Sequence, residues 1–257
     1  MDLSLDFAKG YGYKSRSQRS RVVTEAWVEQ EMYCPSCDSS ELERLPHGTK
    51  VIDFRCPECS EPFQLKSSSK SMGHKVMDSE YNTMMRAIES NRSPNLILMH
   101  YSTDVLQVQD LLLIPRQLIV PSTIEKRNPL GLTARRAGWT GCKILLQNIP
   151  STAQLFAVRT FRVREPDEIR EEWRRLAFVK EIGPEARGWV VDVLRCIQSL
   201  EKKQFTLREM YNRFEQELSK LHPQNKHVRP KIRQQLQILR DKGIIRFVGE
   251  GIYEIRD

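Results

Sequence analysis

The sequence predicts a mixed α/β (α+β) domain with an inserted zinc site over residues 1–180, followed by a winged helix-turn-helix domain over residues 181–257. Three observations predict this. Two C-x-x-C pairs are separated by eighteen residues. Apolar runs of strand length alternate with helically spaced stretches through the first 180 residues, as in a sheet with helices packed against it. The remaining residues follow the order helix, helix, helix, hairpin.

With 257 residues, 39% hydrophobic and 29% charged, the chain is long enough for one or two ordinary globular domains. A net charge of +8 and a pI near 9.2 favour a polyanionic partner, of which nucleic acid is the commonest. The start, M-D-L-S-L-D-F-A-K, has no basic region leading into an apolar run, so no secretory signal is read there. The most apolar stretch, residues 111–120, is broken by Pro115 and Arg116 and is too short to span a bilayer. A cytoplasmic protein with reduced cysteines and no membrane partner is expected.

The elements follow in order. Residues 1–16 are polar and mixed, and a loosely held start is expected. Residues 17–31 read as a helix, with Val22, Val23, Trp27 and Val28 on one face. Residues 51–56 and 61–66 read as short strands joined by the second cysteine turn, and residues 67–71 as a serine-rich loop. Residues 77–90 have helical spacing at Tyr81, Met84, Met85 and Ile88. Residues 95–101, 106–114, 143–146 and 155–161 are strand-like, whereas residues 121–141 are irregular and basic. A helix opens at Pro166, and the composition changes over residues 181–188, where a linker is expected. Beyond it, residues 188–200 are helical, with Trp189, Val190, Val193, Leu194, Ile197 and Leu200 on one side. Thr206 and Glu209 form a capping box for a second helix, Pro230 opens a third and Gly243 ends it. Residues 244–248 and 252–255 make a hairpin around G-E-G.

Cys34, Cys37, Cys56 and Cys59 carry the strongest chemical signal. Two thiolates on one tight turn both face a single ion, and two such turns close a tetrahedral Zn²⁺ shell. Four cysteines leave no position open for substrate, so this zinc is read as structural. Disulfides and a redox C-x-x-C are the alternatives; a reducing compartment opposes the first, and neither pair opens a helix after a strand. Cys142 and Cys196 stand alone in apolar settings and read as small buried residues. The histidines form no usable spacing; His47, His74 and His227 read as surface residues.

Around the second cysteine pair lies Asp53-x10-Gln64-x-Lys66. Residues 64 and 66 face one side of a strand. Metal-dependent phosphodiester hydrolysis needs oxygen ligands for a hard divalent ion such as Mg²⁺, with a cation beside them. The spacing is that of a PD-(D/E)xK nuclease, with Gln64 where Glu is usual. A carboxamide oxygen still ligates, but it removes one negative charge. A solvated strand face is the alternative. Glu25, on the preceding helix, is either an added carboxylate or a solvated helix charge. Glu61 falls on the opposite strand face and is not counted as a ligand.

Residues 220–246 hold eight Lys or Arg against one acid, Asp241. Ile232, Leu236 and Leu239 mark the inward side of the third helix, which turns Lys231, Gln234 and Gln237 outward with Arg229 and Arg233 nearby. Glutamine can bond adenine bidentately, and Lys or Arg can bond guanine or phosphate. A solvated basic helix in a protein-contact module is the alternative. Arg135, Arg136 and Trp139 sit among glycines in T-A-R-R-A-G-W-T-G-C. They suit phosphate contact with an aromatic wedge, or equally a Trp plug anchoring the loop.

Three long runs make the chain similar to the DpnI family of methyl-directed restriction endonucleases. They are D-F-x-C-x-x-C-S-E-x-F-x-L-K-S over residues 53–67, L-T-A-R-R-A-G-W over 132–139, and K-I-R-Q-Q-L-Q-I-L-R-D-K over 231–242. The resemblance covers nearly the full length. It implies a PD-(D/E)xK restriction-endonuclease-like domain with a zinc site, then a winged-helix domain, both engaging double-stranded DNA with methylated adenine. It further implies magnesium-dependent cleavage at adenine-methylated GATC, by a monomer of bacterial or archaeal origin. Asp53 and Lys66 fall on the family's catalytic Asp and Lys, and Gln64 stands where the family has Glu. A reader of methylated DNA that has lost cutting through Gln64 is the alternative.

Overall fold

The computed structural model describes residues 1–46, 49 and 51–256. The surface placement expected of His47 lies outside them; His74 and His227 are exposed as expected. In chain order the elements are α1 (Arg16–Glu31), β1 (Glu43–Arg44), β2 (Phe54–Arg55), β3 (Pro62–Ser68), β4 (Lys75–Glu80), α2 (Tyr81–Glu89), β5 (Asn95–Ser102) and β6 (Gln107–Ile114). There follow β7 (Ile124–Lys126), β8 (Gly141–Leu145), β9 (Leu155–Arg159), β10 (Arg162–Val163), α3 (Pro166–Leu176) and α4 (Pro184–Gln198). The chain ends with β11 (Gln204–Thr206), α5 (Leu207–Leu221), α6 (Val228–Asp241), β12 (Ile245–Gly249) and β13 (Ile252–Ile255). They form a mixed α/β region followed by a C-terminal helix-turn-helix region.

The chain folds into two compact units. The first comprises residues 1–74, 92–116 and 152–177. Its seven-stranded sheet has the order β1-β2-β3-β5-β6-β9-β10. Strands β3 and β5 pair in parallel, with Gln64 beside Leu96 and Lys66 beside Leu98. The apolar runs of β5 and β6 are buried almost throughout, as a sheet covered on both faces requires. Helix α1 is tied to the sheet by Thr24 Oγ1 against Ser67 Oγ at 3.0 Å and by Tyr101 Oη donating to Ser20 Oγ at 2.9 Å. From α3, Trp173 packs its ring against Phe63, centroids 6.4 Å apart.

The first residues are not loose. Leu5 is buried, Trp27 Nε1 donates to the Asp2 carbonyl at 2.8 Å, and Ser4 bridges to Gln107. Their polar composition signalled freedom, but the partners that hold them are 25 and more residues away.

The second unit comprises residues 75–91, 117–151 and 178–257. A three-stranded sheet, β4-β8-β7, opens it. Here the helix expected over residues 77–90 is corrected. Residues 75–80 are a strand, Val76 opposite Ile144 and Asp78 opposite Cys142, and α2 begins only at Tyr81. Glu80 stops the strand and caps the helix, its carboxylate accepting from the N–H groups of Asn82 and Thr83. Strand β7 likewise lies within the stretch expected to be irregular. Cys142 and Cys196 are both buried, as expected.

The winged-helix part follows its predicted order, with α4 starting at Pro184, earlier than expected. Strand β11, unforeseen, joins the hairpin in a sheet of order β11-β13-β12. The capping box is made: Thr206 Oγ1 accepts from Glu209 N–H at 3.1 Å, and Glu209 accepts from Thr206 N–H at 2.8 Å. Gly243 ends α6 with φ +74°, a left-handed position that suits glycine. At the end of α5, His222 stacks on Trp189 of α4 at 4.0 Å and pairs with the buried Asp192 carboxylate at 2.8 Å. No helix among the described residues is long and apolar enough to cross a membrane.

Candidate metal centre and nucleic-acid interface

The four cysteines converge. All four Sγ atoms lie within 4.8 Å of one another, with Cys34–Cys59 at 3.7 Å and Cys37–Cys56 at 3.4 Å. A tetrahedron with bonds of about 2.3 Å holds its sulphurs about 3.8 Å apart, so the donor set fits a zinc ion. Burial pushes the Cys37 thiol up to about 11 and the Cys34 thiol higher still. Burial acts the same way on Cys56, but donation from Cys59 N–H and from the neighbouring thiols outweighs it and brings that thiol to about 7. Arg170 of α3 clamps the knuckle, donating to the Cys34 carbonyl at 3.2 Å and to the Ser39 carbonyl at 3.0 Å.

The second cysteine turn feeds directly into the strand pair that carries Asp53, Gln64 and Lys66. Strands β2 and β3 are antiparallel, with Phe54 opposite Phe63. Just before β2, Asp53 N–H donates to the Phe63 carbonyl at 2.9 Å, and the Asp53 carboxylate accepts from Leu65 N–H at 2.8 Å. Asp53 is thereby pinned across the strand from Gln64. Gln64 Oε1 is buried with no hydrogen-bond partner among the described residues. An orphaned amide oxygen of this kind costs about 1–3 kcal/mol unless something meets it, and a cation held jointly with Asp53 is a fitting partner. Glu61 is engaged elsewhere, by Arg116 Nε at 3.2 Å and by Asn95 Nδ2 at 3.1 Å.

Beside Asp53 is a cavity of about 170 Å³ whose lining includes Arg21, Glu25, Arg44 and Thr49. Glu25 is not a solvated helix charge. It is 8% exposed, in contact with Arg44, and 3.6 Å from Arg21 Nε.

In α6, Ile232, Leu236 and Leu239 are fully buried, while Arg229, Arg233, Gln234 and Gln237 are exposed and Lys231 half-buried. The expected inward and outward faces are therefore present. A cavity of about 320 Å³ is lined by Tyr211, Arg229, Pro230, Arg233, Gln234 and Gln237. Arg229 is not a loose cation: its Nε reaches both Glu215 oxygens at 3.0 Å, and its guanidinium lies 5.3 Å from the Tyr211 ring centre.

The loop before β8 is closed at its neck by Gly138 N–H to the Leu130 carbonyl and Leu130 N–H to the Trp139 carbonyl, both 2.9 Å. The Arg136 guanidinium sits over the half-buried Trp139 ring at 4.6 Å, and Arg135 is exposed. The ring lies against Gly141, where an added Cβ would meet it at 2.7 Å.

A family model described as DpnI, Dam-replacing family, matches residues 1–182, and one described as the Dam-replacing HTH domain matches residues 185–255. The chain belongs to the Dam-replacing family. Membership supports a methyl-dependent restriction endonuclease in general, with a C-terminal module that binds DNA. In this Dam-replacing chain, sequence reasoning missed Tyr211, Glu215 and Arg44. Tyr211 and Glu215 lie one helical turn apart, a spacing that marks them as neighbours on α5. Arg44 carried no local signal.

Proposed function

We propose that the protein is a type II methyl-directed endonuclease that hydrolyses both strands of double-stranded DNA at adenine-methylated GATC. The carrying observation is the pinning of Asp53 across from Gln64, whose Oε1 is buried with no hydrogen-bond partner among the described residues, with Lys66 two residues further along β3. This arrangement supports a PD-(D/E)xK centre formed by Asp53, Gln64 and Lys66. A Mg²⁺ ion held by Asp53 and Gln64 would supply Lewis acidity for water attack on phosphorus and would neutralise developing charge. Lys66 would orient the attacking water and offset the negative charge of the pentavalent transition state. Leu65 N–H holds the Asp53 carboxylate in place, so little rearrangement is needed before reaction.

The four cysteines are assigned a structural Zn²⁺ that braces the β2–β3 strand pair. Arg229, Lys231, Arg233, Gln234 and Gln237 are assigned to the target duplex, and Arg135, Arg136 and Trp139 to a further DNA contact. The family models adjoin between residues 182 and 185, which supports a functional boundary at 180/181, although β4, β7 and β8 pack within the unit that contains the winged helix. The enzyme is taken as a cytoplasmic monomer in a bacterial or archaeal cell whose own DNA lacks the mark.

The N6-methyl of adenine projects into the major groove. Burying one such group contributes about 0.8 kcal/mol, roughly fourfold in affinity, and two methyls in a palindrome multiply that factor. The test is digestion of one plasmid prepared with and without adenine-methylated GATC, in magnesium and then in manganese. Cutting of the methylated plasmid alone is expected. Binding without cutting in either metal would establish the second reading, a methylated-DNA reader, which the neutral amide of Gln64 favours.

A further inference from the structure

We propose that Arg44 is a DNA-phosphate contact at the nuclease centre, held on Glu25 until a backbone phosphate enters the adjoining cavity. The proposal rests on the nuclease reading above and adds a residue to it. Arg44 ends β1, and its neighbour Leu45 donates through N–H to the Asp53 carbonyl at 2.9 Å. The backbone therefore fixes Arg44 close to the catalytic Asp. Its side chain contacts Glu25, lines the cavity with Asp53 and Arg21, and keeps 30% of its surface exposed. Glu25, only 10% exposed at its side chain, is held between both arginines.

Arg21 and Arg44 line the cavity against Glu25 and Asp53, so its charges balance, and Arg44 can exchange one anionic partner for another without leaving a charge uncompensated. A phosphodiester carries one negative charge, and a planar guanidinium matches its two free oxygens with parallel hydrogen bonds. The Thr49 hydroxyl lies on the same wall, although it donates to the Pro46 carbonyl at 2.8 Å. Glu25 serves the free protein by compensating two cations that would otherwise face the cavity unpaired. An incoming phosphate exchanges one carboxylate partner for another anion, so Arg44 needs no new solvent-exposed conformation. Through this contact the chain gains hold on the substrate that does not depend on the weaker cation site left by Gln64.

The test uses the full-length, zinc-loaded protein without added divalent ion. Anisotropy of a short fluorescent duplex carrying adenine-methylated GATC is followed across a salt series. Arg44→Ala should weaken binding about tenfold and flatten the slope of log K against log salt by about one phosphate equivalent. Arg44→Lys should keep the slope, since one charge still reaches the phosphate. Glu25→Gln should tighten binding severalfold by releasing both arginines. An Arg44→Ala protein of normal melting temperature with unchanged affinity and slope overturns the proposal. If Arg44→Ala does not fold, Glu25→Gln decides: tighter binding supports the contact, and equal or weaker binding overturns it. Plasmid digestion by the wild type is run alongside. Cutting combined with an unchanged slope removes only the Arg44 contact, whereas no cutting with a flattened slope removes the nuclease reading and leaves the contact standing.

Discussion

Removal of the ion from the four-cysteine knuckle should unfold the first unit. The four thiols sit within 4.8 Å of one another, and without an ion they must stay protonated or repel. Structural zinc in small sites contributes about 10–16 kcal/mol of apparent binding free energy. A whole domain is stable by only about 5–15 kcal/mol, so loss of the ion is of the same size as the stability of the fold. The damage would not stay local. Arg170 joins the knuckle to α3, Trp173 of α3 packs on Phe63, and Phe63 is the strand partner of Phe54 beside Asp53. Cys59 is exposed, which gives a chelator access. The assay is thermal melting by circular dichroism before and after a strong zinc chelator, with metal content followed by atomic emission. One zinc per chain is expected, and a loss of even about 5 kcal/mol should lower the melting temperature by more than about 10 °C. A protein shown to be zinc-free that melts unchanged would refute the reasoning.

Asp53→Ala should abolish cutting while duplex binding survives; residual cutting near the wild-type rate would remove Asp53 from the centre. Gln64→Glu places a carboxylate where a buried amide oxygen has no hydrogen-bond partner among the described residues, and calorimetry should show at least about tenfold tighter Mg²⁺ binding, the value of about 1.4 kcal/mol; unchanged affinity would mean that the Gln64 oxygen does not face the ion. Gln234→Ala, at the wall of the α6 cavity, should cost about 1–3 kcal/mol on the methylated site and little on unrelated duplexes, measured by competition; an equal loss on both would make Gln234 a backbone contact. The Lys202 ammonium, then Thr206 N–H, hold the Glu209 carboxyl down at about 2 from an ordinary 4.5. Its contribution is therefore complete above about pH 4.5 and lost as the pH falls through 2. The melting-temperature gap between wild type and Glu209→Gln should close over that window, and a constant gap would show that the capping box does not act through its charge.

What was legible in the sequence were the features whose partners are near in the chain. The capping box spans Thr206 to Glu209, each cysteine turn spans four residues, and the α6 core positions repeat at three and four. Each places two groups on one turn or one face by local geometry alone. What escaped depended on distant pairing. Residues 75–80 run straight into α2 with only Val76 and Met77 apolar and no alternation of their own, and the partner strand Gly141–Leu145 makes them extended. The first residues look free until Trp27 and Gln107 are brought to them. The candidate centre divides the same way. Asp53, Gln64 and Lys66 announce themselves because a hairpin of fixed register carries all three, so their spacing is their geometry. Arg44 and Glu25 are nineteen residues apart on different elements, and a helix charge beside an arginine at the end of a two-residue strand has no period to detect. Gln64 is legible because its departure falls at a fixed spacing on one strand, whereas the balance of Arg21 and Arg44 against Glu25 and Asp53 exists only once α1 and β1 are brought beside the strand pair that carries Asp53.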